Sequence, residues 1–226
     1  MKGKRYQAAE AIIDASKTYS LEEAVELAKK TAKTKFDASI EAHFRLGINL
    51  EKTEQQVRGV VVLPHGVGKS KKVAAFVESG REEEAKKAGA DLVGGEELLA
   101  EIVQSGKCDF DIAIATPAMM PKMAKAAKVL GPKGLMPNPK NETVTNDIAK
   151  AVGELKKGKI LFKNDQGGNV HALIGKASFE STKLVENLRT FLDALKRVKP
   201  PGIKGIYIQT ATVNAAMSPS IKLSIA

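Results

Sequence analysis

Tryptophan is absent from this chain of 226 residues, and aromatic residues make up only 4% of it. A nucleic-acid surface built from many base-stacking rings is therefore not expected, and contacts to phosphate, sugar and shape would have to dominate. Cys108 is the only cysteine, which excludes an internal disulfide framework and a cysteine-rich zinc site. No apolar run approaches the roughly 18 residues of a membrane span, and the basic start of the chain lacks a signal peptide's apolar core. These absences predict a cytoplasmic protein without a membrane partner.

Positive charge, by contrast, is abundant and unevenly placed. The formal net charge is +10, and eight of those charges fall within residues 1–66 and 159–226, which leaves two for residues 67–158. A strongly basic balance favours a polyanionic partner. The two ends of the chain are therefore the better candidates for binding a nucleic acid.

Both ends of the chain combine long strands with amphipathic helices. Apolar and polar residues alternate from Phe36 to Ile48, which is typical of a strand with one solvated face. Ser20 and Glu23 form a capping box that predicts a helix reaching about Lys33. Further helices are expected over residues 5–15 and 180–198, and further strands over residues 57–63, 160–163, 170–174, 205–215 and 221–225.

The middle of the chain alternates short apolar runs with helical patterns. The runs predict strands over residues 73–77, 91–93 and 112–115, and the patterns predict helices over residues 82–88, 96–105, 117–129 and 147–157. Such alternation with brief connections predicts a parallel sheet covered by helices on both faces.

Together these patterns predict an α/β protein of two domains. Residues 1–66 and 159–226 would form a discontinuous α+β domain. Residues 67–158 would be inserted into it as a Rossmann-like α/β domain with a parallel sheet.

The segment from Gly66 to Ser70 ends in the Gly-Lys-Ser of a phosphate-binding loop. Leu63 stands where that pattern needs its first glycine, and a strand rather than a helix is expected to follow. Nucleotide binding is therefore not expected at this segment. Gly66 and Gly68 lie where the inserted domain is expected to begin and Gly158 where it is expected to end, and we interpret all three as hinge points, because glycine absorbs large backbone changes at little cost.

No other motif indicates catalysis or ligand binding. The glycine pair at 94–95 is not part of a dinucleotide-binding fingerprint, and His43, His65 and His171 are not spaced as metal ligands. No nucleophile elbow and no Cys–His pair can be named. We expect no enzyme activity, no cofactor and no metal site; a nucleotide-dependent enzyme built on the middle block is the rival interpretation.

Residues 131–140 hold three of the nine prolines of the chain and two glycines, yet also Leu135 and Met136. Prolines leave the backbone few accessible states, so this segment is predicted to be a rigid, cationic surface loop. Lys122, Lys125 and Lys128 share one face of the preceding helix, for which a solvated face is favoured over a nucleic-acid contact.

Several residues at the two chain ends could share one solvated sheet surface. They are Lys35, Phe36, Ser39 and Glu41 near the first long strand, and Thr210, Thr212 and Met217 near a late one. Hydroxyls, a carboxylate and two apolar side chains suit ribose 2′-hydroxyls and exposed bases, with lysine supplying charge. The alternative, in which Phe36 and Met217 lie at the edge of the core, fits the sequence equally well.

Motifs along the whole chain resemble those of the bacterial large-subunit ribosomal protein L-one family, the ribosomal stalk protein family. The motifs are Lys35-Phe36, Arg45-Leu46-Gly47-Ile48-Asn49, Val57-Arg58-Gly59, Leu63-Pro64-His65-Gly66, Gly89-Ala90-Asp91, Val93-Gly94-Gly95-Glu96-Glu97, Ala115-Thr116-Pro117, the loop 131–140, Lys163-Asn164-Asp165 and Ile174-Gly175-Lys176-Ala177-Ser178-Phe179.

The resemblance implies a structural protein that binds large-subunit rRNA at the mobile stalk and catalyses nothing. It also implies that the protein assists release of exit-site tRNA, and that it represses its own operon by binding the mRNA. Outside the ribosome we expect a monomer. An RNA-binding regulator that acts off the ribosome is the alternative.

Carried over by position, the RNA contacts implied by the resemblance form one set. They are Lys35, Phe36, Ser39, Glu41, His171, Thr210, Ala216, Met217 and Ser218. The chain departs from the family at Ala215-Ala216-Met217-Ser218, where relatives commonly have Thr-Thr-Met-Gly. One side-chain hydroxyl is lost and the backbone freedom of a glycine is replaced, so any contact through Ala216 would involve the main chain.

Overall fold

The computed structural model describes residues 3–68, 71–78, 80–139, 142–203 and 205–224. The chain divides into two compact units, one made of Met1–Gly68 with Ile160–Ala226 and the other of Lys69–Lys159. Four residues of the segments discussed above lie outside the described residues. They are Lys69 and Ser70 of the incomplete phosphate-loop pattern, Lys140 of the proline-rich loop and Ile225 of the last predicted strand.

The helices and strands alternate in a way that follows the predicted order closely. In chain order they are α1 (Lys4–Glu10), α2 (Leu21–Thr31), β1 (Ser39–Leu46), β2 (Arg58–Val62), β3 (Val73–Phe76), α3 (Glu82–Lys87), β4 (Leu92–Gly94), α4 (Glu96–Ser105), β5 (Ile112–Ala115), α5 (Met120–Met123), α6 (Ala127–Leu130), α7 (Ile148–Lys156), β6 (Lys159–Lys163), β7 (Asn169–Lys176), α8 (Ser181–Arg197), β8 (Ile208–Ala215) and β9 (Ile221–Lys222). Within the described ranges, none of the helices has both the length and the apolar character that a membrane span requires.

Several predicted boundaries are wrong. The strand expected from Phe36 to Ile48 is shorter and runs from Ser39 to Leu46. The helix expected over residues 5–15 ends at Glu10. It cannot reach residue 15, because Asp14 turns the chain by accepting hydrogen bonds from both the backbone N–H and the hydroxyl of Ser16. The strand expected from residue 205 begins only at Ile208. Gly205 has a φ of 91°, which lies in the left-handed region and is incompatible with a strand.

A four-stranded antiparallel sheet in the order β7-β1-β8-β9 forms the centre of the first unit. The predicted alternation along β1 is confirmed: Ile40, Ala42 and Phe44 are fully buried, whereas their neighbours on the strand are partly exposed. The ring of Phe44 stacks on that of Phe191 in α8 at a centroid distance of 5.5 Å. The inner face of the sheet therefore packs against the helices, and its outer face is left to solvent.

The capping box predicted for α2 is confirmed. The Ser20 hydroxyl accepts a hydrogen bond from the backbone N–H of Glu23 at 3.2 Å, and the Glu23 carboxylate accepts one from the backbone N–H of Ser20 at 3.1 Å. The helix ends at Thr31, two residues before the predicted end.

The second unit contains a three-stranded parallel sheet in the order β4-β3-β5. Alternate residues of β3 point to opposite faces: Ala74 and Phe76 pack with α4, α5 and α6, whereas Val73 and Ala75 pack with α3 and α7. Helices thus cover both faces, and the predicted α/β fold class with a parallel sheet in the middle block is confirmed.

The helix predicted over residues 117–129 is instead a broken series. Two short 3-10 turns, Pro117–Met119 and Ala124–Ala126, flank α5. Pro117 stands at the first position, where a missing N–H is tolerated, but Pro121 lacks the N–H that would bond to the Pro117 carbonyl, so the regular i to i−4 ladder is interrupted there.

The proline-rich loop after α6 is anchored rather than free. Leu135 and Met136 are partly buried and pack against the apolar cluster on one face of the parallel sheet. The Lys133 ammonium donates a hydrogen bond to the Gly106 carbonyl at 2.7 Å. On the neighbouring segment Lys122 forms an ion pair with Glu96 at 2.7 Å, which agrees with a solvated, ion-paired face.

Asn187 of α8 is a fully buried polar residue whose amide joins three parts of the first unit. Its Nδ2 donates to the carbonyls of Gly66 at 2.9 Å and Ile174 at 2.8 Å, and its Oδ1 accepts from the backbone N–H of His65 at 3.1 Å. A buried polar group is stable only when it is hydrogen-bonded, and this amide satisfies three backbone groups at once.

We expect Asn187→Ala to lower the free energy of unfolding by about 2–4 kcal/mol, because it leaves buried backbone groups without partners. Asp193→Ala on the exposed face of the same helix is the matched control and should change it by less than about 0.5 kcal/mol. Urea unfolding followed by circular dichroism measures both. Equal, small losses in the two variants would contradict the role of Asn187.

Candidate nucleic-acid interface

The outer face of the antiparallel sheet is polar and organised in cross-strand rows. The rows are Leu173–Glu41–Asn214, His171–His43–Thr212 and Asn169–Arg45–Thr210, each written from β7 through β1 to β8. Residues directly opposite each other in antiparallel strands have neighbouring side chains, so amide, hydroxyl, imidazole and charged groups alternate across this surface. Few of them are apolar, which suits contact with RNA sugar and phosphate.

At one end of this face, two chain segments from opposite ends of the sequence meet. Lys35 and Phe36 immediately precede the β1 region, and Ala216 follows β8 and donates its backbone N–H to the Ser39 carbonyl at 2.8 Å. The side chain of Phe36 is 53% exposed and that of Met217 is 68% exposed. The alternative in which both lie at the edge of the core is therefore wrong.

Met217 has a φ of 61°, in the left-handed region that a non-glycine residue occupies only at some cost in free energy. The turn is closed by the Ser218 N–H, which donates to the Ala215 carbonyl at 2.9 Å. The Ser218 hydroxyl also donates to the Thr31 carbonyl at the end of α2, at 2.9 Å. Positive φ thus falls on Met217 and not on Ser218, so serine at this position needs no glycine-like backbone.

The end of β7 fixes the other side of the Phe36 segment. The Lys176 ammonium donates to the Ser39 hydroxyl at 3.0 Å, and the Asp37 carboxylate accepts from both the backbone N–H and the hydroxyl of Ser178. Because the Ser39 oxygen is the acceptor for Lys176, its hydroxyl hydrogen is left to donate to a ligand. The sequence reasoning missed Lys176, Asp37 and Ser178 as supports, although two of them lie in a family motif.

A pair of histidine rings occupies the middle of the outer face. Nδ1 of His43 lies 2.8 Å from Nδ1 of His171, and Nε2 of His43 lies 2.6 Å from Oδ1 of Asn214. Nε2 of His171 lies 3.5 Å from Oδ2 of Asp165. His171 was predicted as a site residue, whereas His43 was not. The only sequence signal for His43 is the alternation along the strand, which places its side chain on the same face as those of Ser39 and Glu41.

Asp165 organises the turn that leads into β7. Its Oδ1 accepts hydrogen bonds from the backbone N–H groups of Asn169 at 2.7 Å and Gly167 at 2.8 Å, and its Oδ2 accepts one from the Asn169 side chain at 3.1 Å. These bonds, the one from the Asn169 backbone above all, lower the pKa of the Asp165 carboxyl to about 2. The turn therefore carries a permanent negative charge beside His171.

The structure brings most of the predicted site residues together, but not all of them. Lys35, Phe36, Ser39, Ala216, Met217 and Ser218 share one end of the face, and Glu41 and His171 lie along its middle. Thr210 pairs with Arg45 at the other end, roughly 20 Å along β1 from Ser39 at the usual strand rise.

Among the described residues, no group of three or more His, Cys, Asp or Glu side chains could hold a metal ion.

The three glycines predicted as hinges all need glycine for local reasons. Gly66, Gly68 and Gly158 have φ values of 63°, 73° and 104°. A Cβ added at Gly68 would also lie 2.8 Å from Cγ of Lys176. The backbone conformation thus explains why glycine occurs at these three positions. Hinge motion at them stays a prediction.

We expect the Asp165 carboxyl to titrate near pH 2 in the folded protein. Because this pKa is depressed, ionised Asp165 stabilises the fold above about pH 4, and that contribution is lost as the pH falls through about 2. A carboxyl-carbon NMR titration measures the midpoint directly. The stability difference between wild type and Asp165→Asn should shrink as the pH falls below about 4. A midpoint near 4 would contradict the hydrogen-bonded turn.

Comparison with known protein families gives a match over most of the chain. The model of the ribosomal protein L1p/L10e family matches residues 28–219, a span that includes Phe36, the histidine pair and the Met217 turn. The chain belongs to the ribosomal protein L1p/L10e family, a family of structural proteins of the large ribosomal subunit that bind rRNA and are not known as enzymes.

Proposed function

We propose that the outer face of the antiparallel sheet, with the exposed Phe36 and Met217 at its end, is the surface that binds large-subunit rRNA. The observation that carries the proposal is the exposure of these two large apolar side chains beside polar groups in a protein with few aromatic residues. Single apolar residues on a protein surface are common, but these two lie in segments from opposite ends of the chain that are joined by the hydrogen bond from the Ala216 N–H to the Ser39 carbonyl.

The groups around Phe36 and Met217 match the chemistry of RNA. The Ser39 hydroxyl can donate a hydrogen bond to a ribose 2′-hydroxyl, and the Glu41 carboxylate can accept one from it. Lys35 is exposed and free to approach phosphate. Phe36 and Met217 can pack on a base or a sugar. Such contacts recognise a shaped RNA junction better than a sequence in a regular duplex, because the major groove of duplex RNA is too narrow to be read.

We further propose that the protein acts at the mobile stalk of the large subunit of a bacterial ribosome. There the unit Lys69–Lys159 would move about Gly66, Gly68 and Gly158 and assist release of the exit-site tRNA. The support is positional: Gly68 is the last residue of the first unit, and Gly158 lies two residues before the chain returns to it. A monomer outside the ribosome would leave the rRNA-binding face accessible.

The same face would also bind the mRNA of the protein's own operon and repress its translation. One surface that binds two RNAs must bind them in turn, so free protein would reach the mRNA only when rRNA sites are filled. The sequence supports this through its resemblance to the stalk protein family, and the sheet supplies one candidate surface for both RNAs.

Sequencing the RNA that co-purifies with the tagged full chain tests the proposed function. We expect large-subunit rRNA to be enriched after ultraviolet crosslinking, and the crosslinked peptides to include Phe36 or Met217. Enrichment of mRNA alone, with the chain absent from purified large subunits, would favour a regulator that acts off the ribosome. Crosslinks confined to Lys69–Lys159 would contradict the proposed surface.

We expect Phe36→Ala and Met217→Ala each to weaken binding of the nuclease-protected rRNA fragment by about 1–3 kcal/mol, because each removes a packing contact with the RNA. Both side chains are exposed, so thermal stability should be nearly unchanged. Val103→Ala removes an apolar side chain that is 44% exposed in the other unit, and it should bind like wild type. Unchanged affinity in both test variants would show that the surface is misplaced.

A further inference from the structure

The two histidines on the proposed RNA-binding face contact each other through the same ring atom. Nδ1 of His43 and Nδ1 of His171 are 2.8 Å apart, which is a hydrogen-bond distance. A hydrogen bond between two nitrogens needs one N–H donor and one bare nitrogen. At least one of the two rings is therefore neutral in this arrangement.

The neighbouring amide decides which ring is the acceptor. Nδ2 of Asn214 donates to the Ala215 carbonyl at 3.3 Å, which leaves its Oδ1 facing His43. Nε2 of His43 must therefore carry a hydrogen, and a neutral His43 then accepts at Nδ1. The donor at Nδ1 is His171.

The other nitrogen of His171 faces an anion. Oδ2 of Asp165 lies 3.5 Å from it, and the Asp165 carboxyl, with a pKa of about 2, is ionised throughout the range in which imidazole titrates. If the His171 ring takes up a second proton, that proton belongs on Nε2, where Asp165 offsets its charge. A second proton, on Nδ1 of His43, would place two N–H groups and two like charges against each other.

The charged groups around the pair favour one proton more than two. Glu41 on β1 lies 3.9 Å from Nε2 of His43, and Asp165 in the turn before β7 attracts charge to His171. Arg45, at the next outward position of β1, opposes a second positive charge, whereas the ammonium of Lys222 on β9 donates to the Ala15 carbonyl at 2.9 Å. The facing positions on β7 and β8 carry no further ionisable side chain. They are Leu173 and Asn169 on β7, and Thr212 and Asn214 on β8.

We propose that His43 and His171 form a one-proton unit within the RNA-binding face. The first proton makes His171 a cation that is held between His43 and Asp165 and offsets the charge of Asp165, so that this part of the face no longer repels an RNA phosphate. The second proton separates the rings and weakens RNA binding. The inference rests on the proposed function, because it assigns His43, Asn214 and Asp165 as positioning residues for His171 in that contact.

Nuclear magnetic resonance of the free protein labelled with ¹⁵N-histidine tests the pair without RNA. In the neutral pair we expect His43 to carry its hydrogen on Nε2 and His171 to carry its hydrogen on Nδ1. As the pH falls, the first proton should appear on Nε2 of His171. A neutral His171 protonated on Nε2, or two rings that titrate independently, would overturn the inference.

Affinity for the nuclease-protected rRNA fragment, measured from about pH 8 to 5, tests the consequence for binding. For wild type we expect the affinity to rise as the first proton is taken up and then to fall by about three- to tenfold at the acidic end. His43→Asn keeps an acceptor near the position of Nδ1 but takes up no proton, so the acidic fall should disappear. His171→Asn should abolish the initial rise.

His65→Asn is the matched control, because His65 lies off this face beside Glu186 and should leave the pH profile unchanged. Identical profiles for wild type and His43→Asn, with RNA bound tightly by both, would overturn the one-proton unit and leave the proposed function intact. Absence of RNA binding by wild type at every pH would overturn the proposed function itself, and with it the role of the pair in binding.

Discussion

The pairing of β1 with both β7 and β8 is the constraint on which the rest of the first unit depends. It joins residues near the start of the chain to residues more than a hundred positions later, as in His43 opposite His171. One face of that strand closes the core through Ile40 and Phe44, and the other carries the candidate interface. Because successive side chains alternate, a shift of register by one residue would bury the polar face and expose the core.

Irregularities in the same sheet shape the interface. The register between β1 and β7 shifts between Ile40 and Glu41, so β7 carries one extra residue there. Such a bulge redirects the strand locally. Beyond it, Lys176 reaches the Ser39 hydroxyl and the Ser178 segment binds Asp37, so the end of the strand that bears Phe36 is held from the β7 side while Ala216 holds it from the β8 side.

Features set by local sequence could be predicted, and features set by distant pairing could not. The alternation through Phe44 and the Ser20 capping box involve neighbours in the chain, and both were found where the sequence placed them. The His43–His171 contact requires the register of two strands and a bulge, which no local pattern encodes. The positive φ of Met217 likewise depends on the turn that Ser218 closes against α2.

Two lysines at the candidate interface have different partners from two lysines of the other unit. In the unit Lys69–Lys159, Lys122 pairs with Glu96, and the buried Lys159 is held by both Glu142 at 2.6 Å and Glu154 at 2.8 Å. Burial opposes the charge of Lys159, but the two carboxylates outweigh it and raise the pKa of its ammonium. The charges of Lys122 and Lys159 are thus offset by their carboxylate partners. On the candidate interface, by contrast, Lys35 is exposed, and Lys176 binds only neutral oxygens, so its charge is not cancelled by a carboxylate and remains to attract phosphate.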